Sequence, residues 1–251
     1  MTVDRLLRTL DQPRRLIWAA FAAIVAAGWG TLAGADPLAH DPMAHDLWRS
    51  LCGPAHAATG FHMAMWVAMV FAMMLPSAAP MISTYMDIAE AARRKAIPVA
   101  QPAVLAAGYL VVWLSFAIAA GYLQARFDVP QIPGGTGVLL LVAGLWQFAP
   151  VKHACLTRCR APMPYFLAHW SEQPGDVFRM GMRQGLFCLG CCGALMMLMF
   201  AAGAMNLLWM AVLGLVMILE KTMARPQLLV QMVGAVLVLL GLAQLGWKFF
   251  A

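Results

Sequence analysis

The chain alternates long apolar runs with short polar stretches rich in proline and arginine. A hydrocarbon core about 30 Å thick takes roughly 20 apolar residues per helix. On that measure the pattern predicts spans over about 16–34, 61–85, 102–123, 134–150, 187–203, 205–220 and 227–247. From Phe187 to Leu219 the sequence is apolar except for Asn206. As one helix this stretch would reach about 50 Å at ~1.5 Å per residue, too long for one crossing. A break at "GAMN", Gly203 to Asn206, makes it a tight hairpin with Asn206 at the turn. Without that break the chain has six spans. The expected class is all-α: a polytopic membrane helix bundle of about seven transmembrane helices, forming one membrane domain over 1–251. The first apolar run is longer than a signal-peptide core and is expected to be retained.

The composition agrees with this pattern. The chain is 63% hydrophobic and 11% charged, against about 25% charged in soluble domains. A net charge of +6 without a basic stripe in polar sequence argues against nucleic-acid binding. Position informs more than the total. Fourteen of the seventeen basic residues fall before the first span, after the second, after the fourth and after the sixth. Arg49, Arg126 and Lys248 are the remainder. Basic loops stay in the cytoplasm, so the amino terminus is expected inside and the carboxyl terminus outside. Residues 35–60 then form an external loop, and 151–184 a cytoplasmic loop.

Sulfur and imidazole mark the candidate chemistry. The external loop carries His40, His45 and His56, with Asp36, Asp41 and Asp46 between and beside them. Such a set suits capture of a divalent metal or Cu(II), and it also suits a plain hydrophilic connector. Cys52 stands alone on that side. At the mouth of the second span, His62 is followed by Met65, Met69 and Met73 at spacings of three, four and four. These positions share one helix face. Thioethers favour Cu(I), while a methionine stripe is also ordinary helix packing. Pro76 and Pro80 lie further along and free backbone carbonyls there; Ser77 is placed to satisfy one.

Cys188, Cys191 and Cys192 sit at i, i+3 and i+4 on one face of the fifth span. Cys155 and Cys159, four apart, belong to the loop on the same side, beside His153, Lys152, Arg158 and Arg160. Both groups therefore face one membrane boundary, in a compartment where thiols stay reduced. Together they are expected to share a metal, although small cysteines also pack well in helices. Cys188 and Cys191 form C-x-x-C, which leaves a redox role open. Glu220 is a further candidate ligand, with neighbouring Lys221 as its expected ion-pair partner.

Five stretches carry a resemblance: "MWVAMVFAMMLPSAAPM", "GYLVVW", "QFAPVKHACLTRCRAP", "GLFCLGCCGALMMLMFAAGAMNLLWM" and "LEKTMARP". In this order, over roughly residues 61–226, the chain resembles a family of bacterial inner-membrane proteins described as predicted metal-binding. The resemblance implies copper handling in a bacterial inner (plasma) membrane, with supply to a secreted or membrane oxidase. Gly193 departs from the larger, often aromatic residue expected after the cysteine pair. The histidine-rich loop is not part of the shared pattern, so His40 and His45 draw nothing from it.

The resulting reading is a membrane protein that binds and relays copper as Cu(I). Its candidate ligands are Cys188, Cys191, Cys192, Cys155, Cys159, His62, Met65, Met69, Met73, His40 and His45. The expected partners are the lipid bilayer and a copper-dependent enzyme or metallochaperone, in a hetero-oligomeric complex. There is no P-loop and no D-K-T-G motif, so energy-driven pumping by this chain alone is not expected. The alternatives are a subunit of a metal-centred membrane oxidoreductase and a metal-free assembly scaffold.

Overall fold

The computed structural model describes residues 13–40, 54–127, 132–202 and 207–250. It is all-α, with no strand among the described residues. The helices are α1 (Pro13–His40), α2 (Pro54–Met69), α3 (Leu75–Arg94), α4 (Pro102–Arg126), α5 (Gly135–Gln147), α6 (Pro150–Arg160), α7 (Met163–Ala168), α8 (Pro174–Met197), α9 (Met199–Ala202), α10 (Leu207–Thr222) and α11 (Pro226–Phe250). A π-helical turn, Val70–Met74, joins α2 to α3. Proline occupies the first turn of α4, α6 and α8, where its missing N–H costs nothing.

Among the described residues five helices are long and apolar enough to cross a bilayer: Arg14–Ala33, Thr59–Arg94, Pro102–Arg126, Pro174–Ala201 and Pro226–Gly246. These helices are compatible with membrane insertion. The pair α5 and α6, bent by 62° at Phe148 and Ala149, makes a sixth if it counts as one span. α10, with 16 residues, is shorter than these.

Two expected segments differ in extent. The stretch 151–184, read as a loop, is helical over most of its length. It holds α6, α7 and the first turns of α8. The fifth apolar run therefore begins inside a helix that starts at Pro174, because the polar turns before Phe187 continue it without a breaker. α1 likewise runs on to His40, past the expected start of the external loop. His45, Cys52 and the "GAMN" turn with Asn206 lie outside the described residues, as do the side chains of His40 and His56.

Glycine seams hold the bundle together. A Cβ on Gly108 of α4 would collide with the Phe178 carbonyl of α8, and one on Gly181 would collide with the Leu105 carbonyl. A Cβ on Gly185, one turn on, would lie 3.0 Å from that of Val112. Close backbone approach through small residues at four-residue spacing is how helices associate where water cannot drive them together. A second seam pairs Gly137 and Gly144 of α5 with Gly241 and Gly234 of α11.

The π turn is a further anchor. The Leu75 N–H bonds the Val70 carbonyl five residues back. Pro76 has no N–H, so the Ala72 carbonyl loses its helical partner. The indole Nε1–H of Trp29 on α1 donates to that carbonyl at 3.0 Å. Gly28 permits the approach, since a Cβ there would lie 2.9 Å from the Ala72 nitrogen.

Replacing Gly181 by alanine drives a methyl into the α4 backbone and is expected to cost at least the ~1–3 kcal/mol typical of overpacking. Gly30→Ala, which meets nothing within 4 Å, serves as the neutral control. Thermal melting in detergent separates the two; equal melting temperatures would remove the seam as a stabilising element.

Candidate metal centre

The α4–α8 seam determines what α8 presents next. Gly181, Gly185, Cys188 and Cys192 follow at spacings of four, three and four, a stripe that continues from glycine to sulfur. Cys188, Cys191 and Cys192 are buried, and their Sγ atoms all lie within 4.8 Å of one another. The Cys191 and Cys192 sulfurs are 3.4 Å apart. Cys191 also turns toward α6, where its Sγ is 3.8 Å from that of Cys159. The expected meeting of the two cysteine groups therefore occurs through Cys159. Cys155, one turn earlier, packs against the α-carbon of Gly190 instead; a Cβ on Gly190 would lie 2.6 Å from its sulfur. Cys155 and Cys159 are half-buried.

Cys188 has a polar shell of its own. Its Sγ is 3.0 Å from the Tyr109 hydroxyl and 3.9 Å from the Ser77 hydroxyl. Tyr109 donates to the Met74 carbonyl at 3.0 Å, as does Ser77 at 2.8 Å. Ser77 thus bonds the Met74 carbonyl, not one of those the prolines free, which are the carbonyls of Ala72 and Pro76. The set is adaptable because each hydroxyl carries one proton. With a thiolate at Cys188, Tyr109 donates to sulfur and Ser77 holds Met74. With a thiol, S–H donates to Tyr109, which holds Met74. The ammonium of Lys221 on α10 completes the shell, 3.1 Å from the Cys188 sulfur and 3.5 Å from the Ser77 carbonyl.

Lys221 corrects an expectation. It does not pair with Glu220, because adjacent residues on a helix point about 100° apart. Glu220 turns to α6 and pairs with Lys152 at 2.9 Å, both side chains fully buried. Gln147 at the α5 terminus also accepts from Lys152. Arg160 donates to the carbonyls of Glu220 and Met223 at 2.8 and 2.6 Å, capping the end of α10. Arg158 lies over the Phe187 ring at 4.8 Å. Lys152 and Arg160 are thus committed to α10, and Glu220 is an ion-pair partner of Lys152.

The methionine column points inward. Met65, Met69 and Met73 are all buried, and Met73 fills the space beside Gly214 of α10, where a Cβ would lie 3.5 Å from its terminal methyl. Met74, the next residue, supplies the carbonyl that holds Tyr109 beside Cys188. The column thus runs from His62, half-buried at one end, down to the level of the thiols. At ~1.5 Å per residue the distance from His62 to Met73 is roughly 16 Å. Met196, Met199, Met210 and Met217 are also buried in the same core. Sequence reading passed over them, along with Tyr109. Met196 does lie four residues after Cys192, and Met217 four before Lys221, so helical spacing carried the signal.

The donor set is sulfur throughout, a chemistry that fits soft Cu(I) and is foreign to hard cations. A family model described as PpoB2, copper chaperone, matches residues 63–244, most of the chain. No curated protein and no solved structure matches it.

Breaking the buried pair beside the thiols tests how the centre is held. Glu220→Gln strands the Lys152 ammonium and is expected to cost about 3–5 kcal/mol. The double variant Lys152→Met, Glu220→Leu should recover most of that. Melting in detergent reads both, and a single variant as stable as the parent would exclude the pair as a support of α6 and α10.

Proposed function

The chain belongs to the PpoB2 family of copper chaperones, and on that premise we propose that it is a multi-pass inner-membrane carrier of Cu(I). The family and the cysteine cluster together support copper binding. The finer reading is that Cys188, Cys191 and Cys192 hold the ion, with Cys159 as an adjoining thiol. Cys155 contributes to the surroundings rather than to the first bonds. The observation that carries it is the convergence of three buried sulfurs within 4.8 Å, since two or three thiolates suffice for a soft monovalent ion.

The same reading makes Met65, Met69 and Met73 a relay. His62, with His40 and His45 of the preceding segment, captures metal at the outer mouth. The buried thioether column ending beside the Cys188 shell supports this order. The amino terminus lies in the cytoplasm, the seven spans include α10 and the bent α5–α6 pair, and the held copper passes to a copper-dependent acceptor. Charge placement supports the orientation. Arg14 at the start of α1 pairs with Asp87 at 2.8 Å, near the Arg93 and Arg94 end of α3, so two of the basic clusters share one end of the bundle.

Protein purified anaerobically with copper is expected to lose its tightly bound metal when Cys188, Cys191 and Cys192 become serine. Retention by the parent should fall on acidification, because protons compete for thiolates. Metal analysis by mass spectrometry decides this, and undiminished copper in the triple serine variant would sink the thiol site.

Converting Met65, Met69 and Met73 to leucine keeps the packing volume and removes the thioethers. In vesicles, this variant should load the thiol site from the outer side at least tenfold more slowly, with the same final copper per chain. Loading at the parental rate would make the column packing alone.

A further inference from the structure

Cys188 is separated from the protein surface by one layer of side chains. Between α1, α3 and α10 lies a groove of about 590 Å³, walled by Trp18, Pro80, Ser83 and Thr222. Its floor is made by Ser77 and Lys221. These are the residues whose polar atoms stand 3.9 and 3.1 Å from the Cys188 sulfur. All three sulfurs are enclosed, and Cys188 is the one whose polar partners Ser77 and Lys221 line the groove. The groove therefore leads to one sulfur of the three, and it lies beside the end of α10.

We propose that this groove is the port through which Cu(I) is exchanged between Cys188 and a small external thiol, with Lys221 receiving the anionic copper–thiolate complex. The proposal rests on the copper reading above and supplies its second door, opposite the His62 end of the column. A bare cation gains nothing from apolar walls. A two-coordinate Cu(I) bis-thiolate is soft, compact and singly negative at the metal. The groove volume lies within the ordinary range for small ligands, about 300–1,000 Å³. The ammonium on its floor gives the complex an opposite charge to approach.

The exchange step balances without redox chemistry. The Cys188 sulfur bonds to copper, one external thiolate leaves, and copper stays Cu(I). The departing thiolate carries its negative charge away, or takes the proton if Cys188 entered as a thiol. Tyr109 and Ser77 can reorient to either form, as the hydrogen-bond geometry allows. In the reverse direction the same step hands copper out.

The test uses the full-length protein in nanodiscs, metal-free and anaerobic. Two rates are measured: labelling of Cys188 by methyl methanethiosulfonate, read by peptide mass spectrometry, and loading from Cu(I)–glutathione. Ser83→Trp and Thr222→Trp fill the groove without touching a thiol, and each should slow both rates at least tenfold with the final copper per chain unchanged. Lys221→Met should slow loading from anionic Cu(I)–glutathione several-fold more than loading from cationic Cu(I)–acetonitrile, because only the former loses charge attraction on approach as well as the support of the Cys188 thiolate, and Lys221→Arg should restore the parental ratio; an equal effect on both donors overturns the receiving role of Lys221. Unchanged rates in both tryptophan variants overturn the port, as does slowing by Thr157→Trp on α6 in their place. If the parent takes up no copper while Ser83→Trp still slows labelling, the groove stands as the path to Cys188, and copper as its cargo is rejected together with the function above.

Discussion

The approach of α4 to α8 is the constraint from which the centre follows. Gly108 and Gly181 leave no room for a Cβ between the two backbones. Tyr109 follows Gly108 directly, and Cys188 lies two turns beyond Gly181 on the same stripe. Closing the seam therefore brings the phenol to 3.0 Å from the sulfur. Apolar burial gives little direction to helices inside lipid, where the surroundings are as apolar as the side chains. Backbone contact through glycine, and polar contacts formed once the backbones meet, supply it instead. The sulfur site is thus a consequence of how α8 packs.

Buried charge fixes the other side. Lys152 and Glu220 are fully enclosed, and an ion pair in such surroundings costs nearly as much desolvation as it returns in attraction. Its use is positional. α6 is a short helix after a 62° bend, and the pair ties it to α10. That tie sets Cys159 against Cys191 from one direction, while the next residue of α10, Lys221, reaches Cys188 from another. Two adjacent residues pointing about 100° apart connect α10 to both flanks of the cluster. A cluster of thiolates with Cu(I) carries net negative charge, so an ammonium on its edge offsets part of the cost of burying it.

Hydropathy made the helical class legible, and spacing made the grouping of the sulfurs legible. The i, i+3, i+4 cysteines face inward as a regular helix requires, and Met65, Met69 and Met73 are buried too although the π turn over Val70–Met74 interrupts their helical register. Sequence pattern did not reveal which partner each charge takes. Glu220 beside Lys221 reads as a local pair, yet Lys152, distant in sequence, has the geometry. Polar turns ahead of Phe187 read as loop because a hydropathy window sees lipid, whereas the helix forms wherever no breaker intervenes, from Pro174 onward. Tyr109 carries no mark in an apolar run; only the seam makes it a neighbour of sulfur.

The order of donors along the core has an energetic sense. Thioethers are neutral and hold Cu(I) weakly; thiolates are anionic and hold it tightly. An ion entering among Met65, Met69 and Met73 would meet stronger ligands as it approached the level of Met74 and Cys188. Under the proposed relay such a gradient would fill the thiol site readily and empty it slowly, because dissociation to water would forfeit every sulfur bond. Delivery from the tight end therefore needs an incoming ligand that bonds copper before the outgoing sulfur lets go. A site that delivers its metal must leave one sulfur within reach of such a ligand, and in the exchange proposed above that sulfur is Cys188, under the floor formed by Ser77 and Lys221.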